Sequence, residues 1–422
     1  MSHLTIEKVN EVYLKITAEP HVEHELRDKF TFEVENKKFM PQYRNKYWDG
    51  YVHLYNMKTK RIYVGLLDKI IAFCENNGYT YQFENNKYYG PPFEVNDFVS
   101  RGGVKDYMKS IAPDIKPRDY QIDAVYEALR YNRKLLISPT ASGKSFMIYS
   151  VVRYHTARGN KILLVVPTTS LVEQMYKDFE SYSWDVSNHC HRIYAGRERV
   201  NTNSVTITTW QSVYQLDRKF FEDYDVIIGD EAHLFKSKSL VGIMDKLHHA
   251  KYRYGFTGTL DGTQTHKWVL EGLFGPSYKV TGTKKLIDEG HLATLDIQCL
   301  VLKYKPKKFD TYEDEIQHLI SHEIRNKFIT NLSCSMKGNT LVLFSRVESH
   351  GAILYEMINN KVSEGRRVFF IHGGVGAEDR EQVRLITESQ QDAIIVASYG
   401  TFSTGINIKN LHNVIFASPS KS

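Results

Sequence analysis

The chain has 422 residues, of which 42% are hydrophobic and 25% are charged, and its formal net charge at pH 7 is +6. This composition is typical of a globular protein of two or three domains and excludes a disordered or low-complexity chain. Apolar runs are strand-sized, well short of the roughly 20 residues that a membrane span requires, and the amino terminus lacks a signal-peptide pattern. We therefore expect a cytoplasmic protein with no membrane association.

The cysteines and the net charge limit the function classes further. The four cysteines are scattered along the chain without a C-x-x-C pair. This spacing predicts neither a zinc site nor a disulfide framework. The mildly basic charge suits contact with a phosphate backbone and is well below that of a histone-like binder.

Residues 1–112 contain no nucleotide-binding motif. Their short strand-like segments and turn signals predict a small α+β domain built around one helix. The helix is expected at Val64–Asn76, where the spacing of Leu66, Leu67 and Ile70 gives an apolar face.

Basic and aromatic residues alternate between Phe39 and Gly50, just before this helix. One interpretation is a DNA-contact surface, because cations bind phosphates and aromatic rings stack on bases. Its predicted contacts are Arg44, Lys46 and Trp48. The alternative is that Phe39 and Trp48 belong to the core while the basic side chains form a solvated face.

The segment Ser138-Pro-Thr-Ala-Ser-Gly-Lys144-Ser145 departs from G-x-x-x-x-G-K-[ST] only at Ser138 and lies between two apolar runs. This order of strand, loop and helix predicts a phosphate-binding loop. We expect Lys144 to reach the β and γ phosphates of ATP and Ser145 to bind Mg²⁺. The predicted nucleotide contacts here are Pro139, Thr140, Ala141, Ser142, Gly143, Lys144 and Ser145.

A second phrase, Asp230-Glu-Ala-His233, follows the apolar strand-like run Tyr224–Ile228. Open α/β sheets bind ligands at the carboxyl ends of their strands, so these carboxylates are expected near the phosphates. Phosphoryl transfer depends on metal binding and on orientation of the attacking water. We assign Asp230 to Mg²⁺ and Glu231 to the water.

Strand-like and helix-like segments alternate over residues 113–285, the ATP-binding domain with its DEAH phrase, and again over residues 286–422. This alternation predicts parallel sheets with helices on both faces. The predicted fold class is α/β, with two parallel-sheet motor domains in tandem preceded by the small α+β domain.

Other phrases follow in the order found in superfamily 2 helicases, and the chain resembles that family. Arg118-Asp-Tyr-Gln121 resembles its Q-motif, Val166-Pro-Thr-Thr169 motif Ia, Ile207–Ser212 motif Ic and Thr257-Gly-Thr259 motif III. The resemblance implies that both motor domains are RecA-like and that His233 and Thr259 couple the Mg²⁺ site to the second domain. It also implies adenine contacts by Arg118, Tyr120 and Gln121, and DNA contacts by Pro167, Thr168, Thr209, Trp210 and Gln211.

The second motor unit contains the remaining helicase-like phrases. Leu341–Arg346 resembles motif IV, Phe370–Gly373 resembles the strand-contact segment after it, and Ser398–Asn407 resembles motif V. The resemblance implies nucleotide contacts by Gly405 and Asn407, although the family usually has Asp at the latter position. It implies DNA contacts by Ser345, Arg346, His372, Gly373, Ser398 and Thr404.

The segment Tyr43–Gly50 and several motor phrases are similar to the UvsW branch-migration helicases of phages. The resemblance covers nearly the whole chain and implies an ATP- and Mg²⁺-dependent DNA motor with 3′ to 5′ polarity. Implied partners are branched, forked or single-stranded DNA, held through phosphate contacts, and replication or recombination proteins. It further implies a monomer in the host cytoplasm that acts in replication, recombination and repair.

Motif VI of the family, Gln-x-x-Gly-Arg-x-x-Arg, follows shortly after motif V, but Lys409–Ser422 contains no arginine. We therefore expect domain 286–422 to be incomplete at its carboxyl end. An arginine finger contributes about 10³ to 10⁵ in turnover. The alternatives left open are an RNA helicase, a restriction-type translocase subunit and a non-catalytic ATP-gated DNA-binding module.

Overall fold

A computed structural model describes residues 3–194, 203–236, 238–260, 262–303, 307–402, 408 and 410–419. The chain divides into two compact units, Met1–Leu295 and Asp296–Ser422. Among the described residues, no helix is both long enough and apolar enough to span a bilayer.

The amino-terminal part of the first unit is a small α+β fold. Its elements are β1 (His3–Lys8), β2 (Tyr13–Thr17), α1 (Pro20–Lys29), β3 (Thr31–Glu33), α2 (Pro41–Arg44), β4 (Tyr51–His53), β5 (Arg61–Tyr63), α3 (Leu67–Asn77) and β6 (Thr80–Glu84). The main sheet has the order β5-β2-β1-β6, and β3 pairs with β4 as a separate antiparallel hairpin. The apolar residues that alternate along β1 and β2 form its core with α1 and α3.

The structure confirms the helix predicted at Val64–Asn76, which begins with a 3-10 turn at Val64–Leu66 and continues as α3. Sequence reasoning missed α1. The reason is its weak apolar stripe, because Val22 and Leu26 are the apolar side chains that this helix buries. Packing against the sheet stabilises this helix, although its sequence pattern is weak.

The rest of the first unit surrounds a parallel sheet. Its elements are α4 (Arg101–Ile111), α5 (Asp119–Tyr131), β7 (Arg133–Ile137), α6 (Lys144–Thr156), β8 (Ile162–Val166), α7 (Thr169–Ser181), α8 (Val186–His189), β9 (Cys190–Ile193), β10 (Val205–Thr209), α9 (Trp210–Val213), α10 (Arg218–Phe221), β11 (Val226–Asp230), α11 (Lys238–Lys246), β12 (Tyr252–Thr257), α12 (Gln264–Phe274), β13 (Ser277–Lys279) and α13 (Thr283–Asp288). The strand order is β13-β7-β12-β11-β8-β10-β9.

Two features of this sheet are relevant to the position of the candidate site. Every residue of β8, β10 and β11 is buried, as expected for strands covered by helices on both faces. Strands β7, β12 and β11 are neighbours, so the loops after Ile137, Thr257 and Asp230 emerge at one edge of the sheet. Helix α4 packs into the same core through Val104 and Met108, so the residues just before position 113 pack with the motor sheet.

The second unit contains another parallel sheet. Its elements are α14 (Tyr312–Ser321), α15 (Glu323–Ser335), β14 (Thr340–Phe344), α16 (Ala352–Asn359), β15 (Val368–Ile371), α17 (Ala377–Ser389), β16 (Ile394–Ser398), α18 (Tyr399–Phe402) and β17 (Asn413–Phe416). The strand order is β15-β16-β14-β17, and all pairs are parallel. The α/β fold of tandem RecA-like domains after a small α+β domain is therefore confirmed.

Candidate nucleotide-binding site

The phosphate loop follows β7 and reverses direction through two left-handed residues. Ala141 has φ of 61° and Gly143 has φ of 78°, and α6 begins at the next residue, Lys144. Glycine adopts such a conformation without strain. The loop therefore presents the amino terminus of a 13-residue helix at the edge where β7, β12 and β11 end.

Lys144 joins the two carboxylates that the sequence assigned to catalysis. Its Nζ atom lies 2.7 Å from Asp230 Oδ1 and 2.6 Å from Glu231 Oε1. Burial acts to lower the pKa of Lys144, but the two carboxylates together raise it above its ordinary value. The ammonium group is therefore firmly charged, as the expected contact with phosphates requires.

Asp230 and Glu231 have opposite environments although they are adjacent. Asp230 is 4% exposed, and burial raises the pKa of its carboxyl group. A hydrogen bond with His233 and the charge of Lys144 lower the pKa of Glu231 to about 2. Glu231 has φ of 50°, a left-handed conformation that non-glycine residues rarely adopt. The strand end thus holds one shielded carboxylate and one ionised, more accessible carboxylate.

Thr257, at the end of β12, connects this acidic phrase with the motif III segment. Its Oγ1 atom lies 3.0 Å from His233 Nδ1 and donates a hydrogen bond to the carbonyl of Thr259 at 2.9 Å. Its carbonyl accepts a bond from the amide of Ser138 at 2.7 Å. The side chain of Thr259 is itself exposed, so its observed contact in this group is made by its backbone.

The Q-motif residues lie against the phosphate loop. Gln121 Nε2 donates to the carbonyl of Ser142 at 2.8 Å, and its Oε1 accepts from the amide of Arg118 at 2.9 Å. The hydroxyl of Tyr120 donates to the same Ser142 carbonyl at 3.2 Å and accepts from Arg118 Nη1 at 2.6 Å. These three predicted residues are therefore next to the nucleotide loop and fix the carbonyl in its last turn.

Sequence reasoning missed two side chains at this loop. The hydroxyl of Ser138, where the motif usually has glycine, lies 2.5 Å from Ser142 Oγ, and both residues are buried. The hydroxyl of Ser145 hydrogen-bonds to Asp178 of α7, whose pKa is raised by burial. The sequence did signal Ser138 as a departure from the motif, but nothing in its local pattern pointed to Asp178.

The predicted DNA contacts of the small domain lie on the surface. Arg44 and Lys46 are exposed, and Trp48 is half-buried, with its ring nitrogen donating to the carbonyl of Tyr51 at 2.8 Å. Phe39 is 80% exposed. The alternative that Phe39 belongs to the core is therefore wrong, because the 3-10 turn at Lys37–Phe39 buries Lys37 and leaves the Phe39 ring in solvent.

The predicted DNA contacts of the first motor domain follow the ends of β8 and β10. Pro167 and Thr168 are half-buried, and Thr168 caps α7 by accepting from the amide of Leu171 at 3.3 Å. Thr209 is 3% exposed, and its hydroxyl lies 2.9 Å from Ser212 Oγ. Trp210 packs partly against the core, whereas Gln211 is exposed. Thr169 and Gln211 are thus the exposed residues of motifs Ia and Ic.

In the second unit, Ser345 and Arg346 are exposed directly after β14, and Arg346 Nη2 pairs with Glu313 at 2.5 Å. His372 accepts from the amide of Gly374 at 3.2 Å, and Gly373 is exposed. Ser398 Oγ lies 2.7 Å from Thr401 Oγ1. The motif V residues Thr404, Gly405 and Asn407 lie outside the described residues.

Sequence comparisons identify proteins that are similar to this chain. Residues 5–84 match the family model for the amino-terminal domain of the DNA helicase UvsW, and residues 114–262 match that for the res subunit of type III restriction enzymes. The ATP-dependent DNA helicase uvsW of Enterobacteria phage T4 is 32% identical over 428 residues, which cover 97% of this chain and 83% of that protein.

Two further similarities concern the fold and the motor. The crystal structure of T4 UvsW has a TM-score of 0.59 and 28% identity, covering 99% of this chain and 84% of that one. The DNA 3′-5′ translocase XPB2 of Sulfurisphaera tokodaii is 26% identical over 218 residues, 50% of this chain and 46% of that protein. Because the similarity to UvsW extends over nearly the whole chain, the chain belongs to the UvsW family of superfamily 2 ATP-dependent DNA helicases.

Proposed function

We propose that the protein is an ATP-driven motor that unwinds and branch-migrates forked and Holliday-type junction DNA during phage replication, recombination and repair in the host cytoplasm. The similarity to T4 UvsW, which is named as a DNA helicase, supports DNA as the substrate. The translocase name of the Sulfurisphaera relative supports 3′ to 5′ movement. The small domain matches the model for the amino-terminal domain of a DNA helicase, which supports a role of this domain in DNA contact.

The observation that supports this proposal most is the position of Lys144 between Asp230 and Glu231. A lysine, a buried carboxylate and an ionised carboxylate at adjoining strand ends are the groups that phosphoryl transfer requires. In the arrangement described, the lysine neutralises the carboxylates. Binding of a nucleotide would require Lys144 to exchange one of these contacts for a phosphate.

The oxygen donors at this edge fit Mg²⁺. Ser145 contributes a hydroxyl at the start of α6, and Asp230 contributes a buried carboxylate at the end of β11. Mg²⁺ prefers such oxygen ligands and commonly binds through only one or two protein groups together with phosphates. Bound Mg²⁺ would neutralise phosphate charge, and we assign orientation of the attacking water to Glu231 because its carboxylate stays ionised.

Adenine selection and DNA contact are assigned to residues around this core. We assign adenine contact to Gln121, which is held by the Arg118 amide and the Ser142 carbonyl, and to Arg118 and Tyr120 beside it. We assign contacts with the sugar–phosphate backbone of DNA to the ends of β8 and β10, where Thr168 and Gln211 lie. Contacts of this type position a strand without reading its sequence.

The test is steady-state ATPase of the purified chain alone, with single-stranded DNA, with a four-way junction and with RNA. We expect the highest turnover with the junction and none above background in Lys144→Ala. The matched control is Lys285→Ala, because Lys285 is an exposed helix lysine paired with Glu289. Greater stimulation by RNA than by DNA would contradict the proposal, as would nucleotide binding without turnover on any substrate.

Polarity needs a separate measurement. Displacement of streptavidin from biotin at the 3′ or the 5′ end of a single strand reports the direction of movement. We expect ATP-dependent displacement from the 5′ end, the end toward which a 3′ to 5′ motor moves. Displacement from the 3′ end alone would overturn the polarity while leaving the motor assignment intact.

A further inference from the structure

Two aromatic side chains project into solvent from the segment between β3 and β4. Phe39 is 80% exposed and Tyr47 is 85% exposed. Single exposed apolar residues are common on protein surfaces. Two exposed rings on one short segment are more typical of a binding site. The question is whether a flexible loop or a built surface presents them.

Internal contacts hold this segment in a defined shape. Lys37 is 8% exposed, pairs with Glu33 at 2.9 Å and lies 4.0 Å from the centroid of the Tyr51 ring. The amide of Val34 donates to the carbonyl of Gly50 at 3.0 Å, which closes the segment at its base. The rings are therefore displayed by a preorganised scaffold, which lowers the entropy cost of binding.

The surroundings of the Tyr47 ring are cationic. Phe39 and Lys38 line one surface groove of about 430 Å³, and Lys38 also lines a shallow groove of about 570 Å³ at Tyr47. The lining of the groove at Tyr47 consists of three exposed cations, three aromatic residues and one acidic residue: Lys38, Arg44, Lys46, Tyr43, Tyr47, Trp48 and Asp49. Such a combination of cations and rings complements a polyanion that also has flat apolar faces, which is the chemistry of a nucleic acid strand.

The rings distinguish between two forms of DNA. Phosphates of a duplex need only cations, and the faces of paired bases are covered by their neighbours in the stack. Unpaired bases expose their faces and stack on aromatic side chains whatever their sequence. Phe39 and Tyr47 thus add something that only a strand with unpaired bases can use.

We propose that Phe39 and Tyr47 form a stacking site for unpaired DNA bases at a branch point, while Arg44 and Lys46 hold the adjoining phosphates. The inference rests on the proposed function in taking DNA as the substrate and deepens it by naming the part of the branched substrate that this surface binds. It gives the small domain a means to distinguish a junction from continuous duplex.

The test is equilibrium binding of the full chain to labelled single-stranded DNA, the same strand with abasic sites, a blunt duplex and a fork. For single strand and fork, Phe39→Ala with Tyr47→Ala is expected to weaken binding about tenfold or more, the effect of losing base–aromatic stacking. The affinity of this double variant for the blunt duplex and for the strand with abasic sites is expected to stay unchanged. Phe98→Ala is the matched control, because Phe98 is fully exposed but lies outside the segment between β3 and β4.

Two further variants separate rings from charges. Phe39→Tyr with Tyr47→Phe keeps both rings and is expected to retain single-strand affinity and quenching of a 2-aminopurine base. Arg44→Ala is expected to weaken all DNA forms alike and to reduce the salt slope by about one. Equal loss for duplex and single strand in the double alanine variant would overturn the stacking site. Unchanged single-strand binding in that variant would also overturn the stacking site. DNA-stimulated ATPase tests the proposed function separately, because it can persist when the stacking site is wrong.

Discussion

His266 Nε2 lies 2.9 Å from the carbonyl oxygen of His233. His233 ends the acidic phrase of the nucleotide site, and His266 lies in the first turn of α12. His266 is 4% exposed, so this hydrogen bond forms away from solvent. The acidic loop after β11 is therefore directly attached to the start of α12.

The same helix contacts the small amino-terminal fold. Trp268 packs against Phe30 and Phe32, with ring centroids 5.2 Å and 5.1 Å apart. Glu271 Oε2 pairs with Lys69 of α3 at 2.8 Å. Helix α12 thus contacts the candidate nucleotide site at one end and the proposed DNA-binding fold along its side.

Removal of the His266 side chain is expected to weaken communication between these two regions. His266→Ala leaves the His233 carbonyl without this partner, and an unsatisfied buried polar group costs about 1–3 kcal/mol. We expect severalfold lower DNA-stimulated kcat with a smaller change in the KM for ATP. His266→Gln, which keeps a donor, should recover part of the rate, and equal defects in both variants would contradict this role.

Replacement of Glu231 should separate nucleotide binding from hydrolysis. Glu231→Gln keeps the size of the side chain and one acceptor oxygen but removes its charge. We expect ATP binding close to wild type and turnover lower by about 10²–10⁴, the usual contribution of a general base. Nucleotide binding by fluorescence and turnover by phosphate release measure the two quantities, and wild-type turnover would refute the assignment.

The sequence predicted that the phrases containing Lys144 and the Asp230–Glu231 pair lie close together, and the structure places them in contact. Each phrase follows a strand of the parallel sheet, and the order of these strands brings their loops to one edge. Contacts between distant segments left no such pattern. Asp178 reaches Ser145 from another helix, and His266 reaches His233 from α12.

Burial was the other property that motifs did not predict. The motif Ic resemblance implied a DNA contact by Thr209, but its hydroxyl lies beside Ser212 inside the fold. In the small domain Phe39 is exposed, which contradicts the alternative that placed this ring in the core. An apolar or polar identity sets a tendency to be buried, and the path of the backbone decides it.

Gly143 is expected to tolerate no side chain. An added Cβ atom would lie 2.2 Å from Gln121 Nε2, and φ of 78° disfavours any L residue. We expect Gly143→Ala to weaken ATP binding at least tenfold because Gln121 must leave the Ser142 carbonyl. Gly159→Ala is the matched control, since Gly159 has φ of 76° but nothing within 4 Å of the added atom. A similar loss of ATP affinity in both variants would show that backbone strain, rather than displacement of Gln121, is responsible.

Glu11 fastens the small fold to the motor sheet through a buried ion pair. Its Oε2 lies 2.5 Å from Arg133 Nη2. Burial alone would raise the pKa of Glu11, but Arg133 and Lys8 lower it below the ordinary value of 4.5. Since the folded state lowers this pKa, the stabilisation is present above pH 4.5 and is lost as the pH falls through the folded value. Glu11→Gln should therefore lower the free energy of unfolding by about 3 kcal/mol at neutral pH. Denaturant unfolding across the acid range should show this difference shrinking, whereas a difference that stays constant with pH would contradict the ion pair's role.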